Sequence, residues 1–197
     1  MVFFDFSLPL LAYRFFQLIR GPIDNPSMIW IALPLLITLI VIELYFKKYK
    51  DEKLGWNTAL TNTLVLVFVS LNLFQYIFIY HGGRFSRVVI STGFYISLFV
   101  FVLGGLLFFT DFFHKLPQKI AFLVSAHLPV NITAYTAVVL VYNQIPLEIT
   151  TILAWVLLII IIGLIFFIIR RIEPKGMKKR LKIIEQQAHI QKSSQQK

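Results

Sequence analysis

Cysteine is absent from all 197 residues, which excludes disulfides, zinc–thiolate centres and thiol nucleophiles together. Charge is also scarce: 14% of the residues are Asp, Glu, Lys or Arg, where globular domains average about a quarter. Acids are scarcer than bases, 9 against 19. No HExxH, GxSxG, glycine-rich phosphate loop or paired-aspartate motif occurs, so standard hydrolase and nucleotide chemistry has no support.

What the chain does have is hydrocarbon. Hydrophobic residues make up 58% of it, and its mean hydropathy is +0.78. Five apolar runs lie near 27–46, 57–80, 88–113, 120–143 and 147–169. Each can cross a bilayer core, which takes ~20 residues of helix. Links of a few residues make consecutive spans adjacent and antiparallel. The expectation is an all-α integral membrane protein: five transmembrane helices in an antiparallel bundle over 27–169, preceded by an extracytoplasmic segment, 1–26, and followed by a basic tail, 170–197. The fifth run is almost free of polar atoms and should be the most lipid-exposed.

The basic residues predict the orientation. Lys47, Lys48, Lys50 and Lys53 follow the first span, Lys115 and Lys119 follow the third, and nine more Lys or Arg lie from Arg170 onward. The other side holds Arg14, Arg20, Arg84 and Arg87. Positive charge stays on the cytoplasmic side, which predicts a plasma-membrane protein with its N-terminus outside and its C-terminus in the cytoplasm. The net charge of +10 is confined to links and tail, so anionic lipid rather than nucleic acid is the expected partner.

Residues 2–12 lack the basic start and cleavage site of a secretory signal, contain Pro9, and are too short to span. Further on, Tyr13, Arg14, Gln17 and Arg20 share one helical side, opposite Leu8, Leu11, Phe15 and Leu18. That pattern predicts an interfacial amphipathic helix in the outer leaflet; a helix packed on the bundle explains it equally. Residues 21–27 then form a turn, with Ser27 as a candidate cap.

Polar residues inside the spans form stripes at ~100° per residue. One holds Thr58, Thr61, Asn62, Val65, Val69, Asn72, Tyr76 and Tyr80; a second Gly93, Ser97, Gly104 and Asp111; a third His127, Asn131, Tyr135, Val138 and Tyr142. Small residues in the second allow close helix approach. Pro129 interrupts the third, removes a backbone donor and leaves the carbonyl near Ser125 without its partner, which favours a kink. Interhelical hydrogen bonding alone would account for such stripes.

Glu43, Asp111, His114 and His127 all fall toward the cytoplasmic side, His127 ~12 Å in from it. With Asn62 and Asn131 they are the candidate ligand-binding residues of a polar cavity open to the cytoplasm. Each also has a plainer role: Glu43 pairing with Lys47, Asp111 and His114 solvated by headgroup water, His127 hydrogen-bonded within the core. Asp111-x-x-His114 would set a carboxylate and an imidazole one turn apart, and Glu43 and His127 would complete four metal ligands. No cofactor is indicated. In the tail, Arg170, Arg171, Lys178, Lys179, Arg180 and Lys182 are candidate lipid-binding residues, and Met177, Leu181, Ile184 and Ala188 recur at helical spacing on an amphipathic segment. A short oligomerisation coil is the second reading of that segment.

The favoured function is binding or passage of a small polar or ionic ligand. The competitor is a non-catalytic subunit or assembly partner, as a homo-oligomer or with other membrane subunits. Five spans, an outside N-terminus, a cytoplasm-open groove and a basic tail resemble the general layout of the membrane insertase family. The short 47–56 link has no room for that family's cytoplasmic hairpin, and no groove arginine is present. Enzymatic activity is the least supported class, and no catalytic residue is assigned.

Overall fold

The computed structural model describes residues 7–48 and 55–171. Those residues are 86% helical, with no strand among them. The expected lipid-binding residues Lys178, Lys179, Arg180 and Lys182 lie outside the described residues, as do the side chain of Arg170 and the lysine link. The helices are α1 (Leu8–Asp24), a 3-10 turn (Pro26–Met28), α2 (Ile29–Lys48), α3 (Trp56–Tyr80), α4 (Phe85–Val89), α5 (Thr92–Phe112), α6 (Gln118–Val124), α7 (His127–Tyr142) and α8 (Ile149–Arg171). Five segments among the described residues are long and apolar enough to cross a membrane: Pro26–Tyr45, Trp56–Tyr80, Thr92–Phe112, Gln118–Tyr142 and Ile149–Ile169. This is compatible with a multi-pass membrane protein.

The chain separates into two compact units, Met1–Gly163 and Leu164–Lys197. Of the second, the described part is the end of α8, where the Arg171 guanidinium sits 4.8 Å from the Phe167 ring centre. All that follows concerns the first unit.

The ends of the helices follow local chemistry. Ser7 caps α1 through Leu10 N–H at 3.3 Å, with Pro9 in the first turn, where a missing amide hydrogen costs nothing. Ser91 caps α5 through Phe94 N–H at 3.3 Å. The turn after α3 uses Gly82 and Gly83 at φ +63° and +72°, a left-handed backbone that glycine adopts without steric cost. Ser27 does not cap α2: it lies inside the 3-10 turn and donates to Asn25 Oδ1, while Asn25 Nδ2 donates to Tyr142 O at 2.8 Å.

The fourth span is the core of this unit. An 18-residue stretch within 118–142 is 72% buried, against 11% for one within the fifth span, and α7 packs on α1, α2, α3 and α5. An apolar surface on all sides is what a helix enclosed by others requires. The exposure of the fifth span agrees with its near lack of polar atoms.

The most extensive helix pair is α3 with α5. Gly93, Ser97, Gly104 and Asp111 do share its inner face: Ser97 is 0% and Asp111 1% exposed, and a Cβ on Gly104 would lie 2.8 Å from Leu66 Cβ and 3.1 Å from Val67 N. The facing stripe on α3 is rotated from the expected one. Ala59, Asn62, Thr63, Leu66, Val69, Ser70, Leu73 and Ile77 are the buried residues, whereas Thr61, Asn72 and Tyr80 are exposed. Thr61 and Asn72 donate to the carbonyls of Asn57 and Phe68 four residues back, so their polarity is satisfied without a neighbouring helix.

Helix α1 packs on α7. Leu18 is 0% exposed, Gly21 meets Val139, and Tyr135 Oη donates to Leu18 O at 3.0 Å. Arg14 Nη2 bridges to Glu148 Oε2 at 3.0 Å and Arg14 Nη1 donates to Gln17 at 2.9 Å, so its polar side also engages the protein.

The glycine contacts give opposite expectations for neighbouring residues. Gly104→Ala forces Leu66 and the α3 backbone apart and should destabilise by about 1–3 kcal/mol. Gly105, with nothing within 4 Å of its Cβ position, should tolerate alanine or gain up to about 1 kcal/mol of helix propensity. Unfolding of both variants in detergent, followed by circular dichroism, checks the difference.

Candidate functional site

Pro129 has no amide hydrogen to give the carbonyl four residues earlier, and the fourth span breaks there. Helix α6 ends at Val124, Ala126 turns extended (φ −64°, ψ +148°), and α7 begins at His127. The freed carbonyl, Ser125 O, accepts instead from Asn62 Nδ2 of α3 at 2.9 Å. Ser125 Oγ donates to Asp111 Oδ2 of α5 at 2.6 Å. The kink expected from Pro129 is therefore a full break, held by side chains from two other helices.

Two residues beyond, His127 Nε2 and Glu43 Oε1 of α2 share a hydrogen bond of 2.6 Å. One turn further, Asn131 Nδ2 donates to His127 O at 2.8 Å. All of these groups are shielded: Glu43, Asn62, Asp111, Ser125, His127 and Asn131 are each 6% exposed or less. Two acceptors remain open, Asp111 Oδ1 and Asn131 Oδ1, both buried and without a hydrogen-bond partner.

Of the six expected ligand-binding residues, the structure brings Glu43 to His127 directly, and Asn62 to Asp111 through Ser125. Asn131 joins through the His127 carbonyl. His114 stands apart. Helix α5 ends at Phe112, so Asp111 and His114 do not share a helical face as expected; His114 adopts φ +50°, is exposed, and its ring centre lies 4.1 Å from that of Trp56. Among the described residues no three His, Asp or Glu side chains gather as a metal site would need. The four candidate ligands fall instead into one pair, one serine-bound carboxylate and one imidazole tilted against Trp56.

The residue that organises the cluster, Ser125, was visible in the sequence only as the carbonyl that Pro129 frees. Its hydroxyl bond to Asp111 had no sequence signal. Chemically, the cluster offers carboxylate and amide oxygens in a water-poor interior. A carboxylate oxygen there is an acceptor without a donor, and leaving one unmade is costly.

No family model matches the chain, and no curated protein or solved structure does either.

The break also gives a coupling to measure. Asn62→Leu strands Ser125 O and should cost about 1–3 kcal/mol. Pro129→Ala restores the amide hydrogen that this carbonyl lost, so in that background the Asn62→Leu cost should shrink by at least about 0.5 kcal/mol. Thermal unfolding of the two single variants and the double variant measures it; strict additivity would show that the carbonyl is not what joins them.

Proposed function

We propose that this chain is a multi-pass plasma-membrane protein that takes a small polar or ionic ligand from the cytoplasmic side into the break of its fourth span. Asp111 Oδ1 carries the proposal: it is a carboxylate oxygen in the last turn of a membrane-length helix, in a residue 1% exposed, with no hydrogen-bond partner. Ionisable groups inside spans face partners or pathways, and broken helices at membrane depth line binding sites. Glu43 and Asp111 supply negative charge, so the ligand is a cation or a hydrogen-bond donor. His127 tethers Glu43, Asn62 and Asn131 orient, and His114 lies at the rim beside Trp56.

The lysine-rich links support an outside N-terminus and a cytoplasmic C-terminus, which puts the break on the cytoplasmic half. Contacts at both ends support an antiparallel bundle: Glu43, late in α2, meets His127 at the start of α7, while Met28, just before α2, meets Asn143 just after α7. In this reading α1 lies at the outer surface, its exposed Leu8, Phe16 and Ile23 toward lipid, and the basic tail holds anionic lipid.

A second reading, a non-catalytic or insertase-like subunit, is favoured by the outward apolar residues of the first span, Trp30 being 82% exposed, and by the fact that most cluster bonds close among themselves. The two separate by ligand stabilisation. A ligand at a hundred times its Kd should stabilise the purified protein by ~2.7 kcal/mol, read as a rise in Tm across alkali cations, ammonium and small amines. Asp111→Asn keeps an acceptor for Ser125 but removes the charge, and should abolish the rise. No rise with any of these, or a rise that survives Asp111→Asn, rejects the site; a stoichiometric partner that co-purifies with unchanged Asp111→Asn protein selects the subunit.

A further inference from the structure

A second site lies away from the break, between α5, α7 and the first turns of α8. It is a groove of about 440 Å³, inside the ~300–1,000 Å³ range of small-molecule sites. Its rim is open to the side of the bundle, since Phe99, Leu147 and Ile152 line it and are 63%, 48% and 45% exposed. In a membrane protein that side faces hydrocarbon, so an occupant enters from the bilayer.

Most of the wall is carbon; the lining residues with polar side-chain atoms are Thr133, Thr136, Thr151 and Trp155, and Thr151 Oγ1 already donates to Pro146 O at 2.9 Å. Thr136 and Trp155 both line the groove, and both Thr136 Oγ1 and Trp155 Nε1 are buried with no hydrogen-bond partner. Two orphaned polar atoms along one apolar groove need a common explanation, because each costs free energy while unmade. An indole N–H only donates, so the occupant must carry an acceptor oxygen. Both atoms are themselves covered, so each bond to an occupant needs a side-chain adjustment, which for Thr136 is a χ1 change that exchanges hydroxyl and methyl.

Depth narrows the occupant further. Trp155 is six residues into α8 and Thr136 six residues before the end of α7, so both donors lie ~9 Å along their helices from the same end. The ester carbonyls of a phospholipid are held at the hydrocarbon boundary by their headgroup, whereas a compound without a headgroup is free to place its oxygen deeper.

We propose that this groove binds a headgroup-free, membrane-soluble carbonyl compound, its apolar body along Phe99, Leu103 and Leu140 and its oxygen accepting from Trp155 Nε1 and Thr136 Oγ1. This site is independent of the ligand at the break and shares with it only the membrane reading of the helices.

The test uses the full chain in lipid nanodiscs, an alkylated 1,4-benzoquinone as probe, and an alkylbenzene of the same chain length as the carbonyl-free control, with binding followed by equilibrium dialysis. Saturable quinone binding is expected, with the alkylbenzene at least tenfold weaker. Thr136→Val, which is isosteric, and Trp155→Phe, which keeps an aromatic ring but removes the indole N–H, should each weaken the quinone about fivefold or more, one ordinary hydrogen bond being worth about fivefold. Ile152→Trp fills the exposed rim without touching the core and should abolish binding. Size-exclusion and circular dichroism profiles matching the wild type certify each variant as folded. Equal affinity for quinone and alkylbenzene, wild-type affinity in Thr136→Val and Trp155→Phe, absence of saturable binding, or a tightly held phospholipid that the quinone fails to displace would each overturn the proposal.

Discussion

Pro129 has no amide hydrogen, so the carbonyl of Ser125 must find a donor outside its own helix, and Asn62 on α3 supplies it at 2.9 Å. In water such a carbonyl would simply be hydrated. At membrane depth an unmade backbone bond costs several kcal/mol, so the donor must come from the protein. The substitution of one side-chain amide for one backbone amide fixes α3 beside the fourth span, and it leaves the span free to break rather than bend.

The rest of the cluster follows from that break. Ala126 in an extended conformation separates Ser125 from His127, so the two residues address different neighbours: Ser125 reaches Asp111 on α5 and His127 reaches Glu43 on α2. Helices associate weakly in lipid through apolar contact alone, since lipid tails are as apolar as leucine. Buried hydrogen bonds at the break, close glycine contacts such as Gly104 against Leu66 along the α3–α5 pair, and the Asn25, Tyr135 and Arg14 bonds around α1 together supply the specificity that apolar side chains do not. Removing one partner of the buried Glu43–His127 pair would leave the other polar group stranded, which makes that pair costly to break whatever it does for function.

How much of this the sequence discloses depends on how local the cause is. The span positions are legible because twenty apolar residues have few other uses, and the break is legible because proline acts on its own carbonyl four residues back. The inner face of α5 is legible because Gly93, Ser97 and Gly104 are small where close approach is needed. The inner face of α3 is misread by its polarity, because Thr61 and Asn72 satisfy themselves on their own helix and owe nothing to burial. Its true face is marked by small and medium residues, Ala59, Thr63 and Ser70 among them. The central place of α7 is not disclosed by its stripe of His127, Asn131, Tyr135, Val138 and Tyr142, because the residues off that stripe are buried as well. The partnership of Glu43 and His127 spans 84 positions and has no local signature, and His114 leaves the face of Asp111 only because α5 stops at Phe112.

The natural absence of cysteine gives direct access to the central claim, that the break is a polar site reached from the cytoplasm. A single Ser125→Cys substitution in this cysteine-free chain can be exposed to a small, membrane-impermeant cationic thiosulfonate on one side of sealed vesicles at a time. A site open to the cytoplasm predicts modification from the cytoplasmic face and protection by the stabilising cation or amine. Modification only from the outer face, or none from either face while an outer Ser91→Cys control reacts, would contradict it.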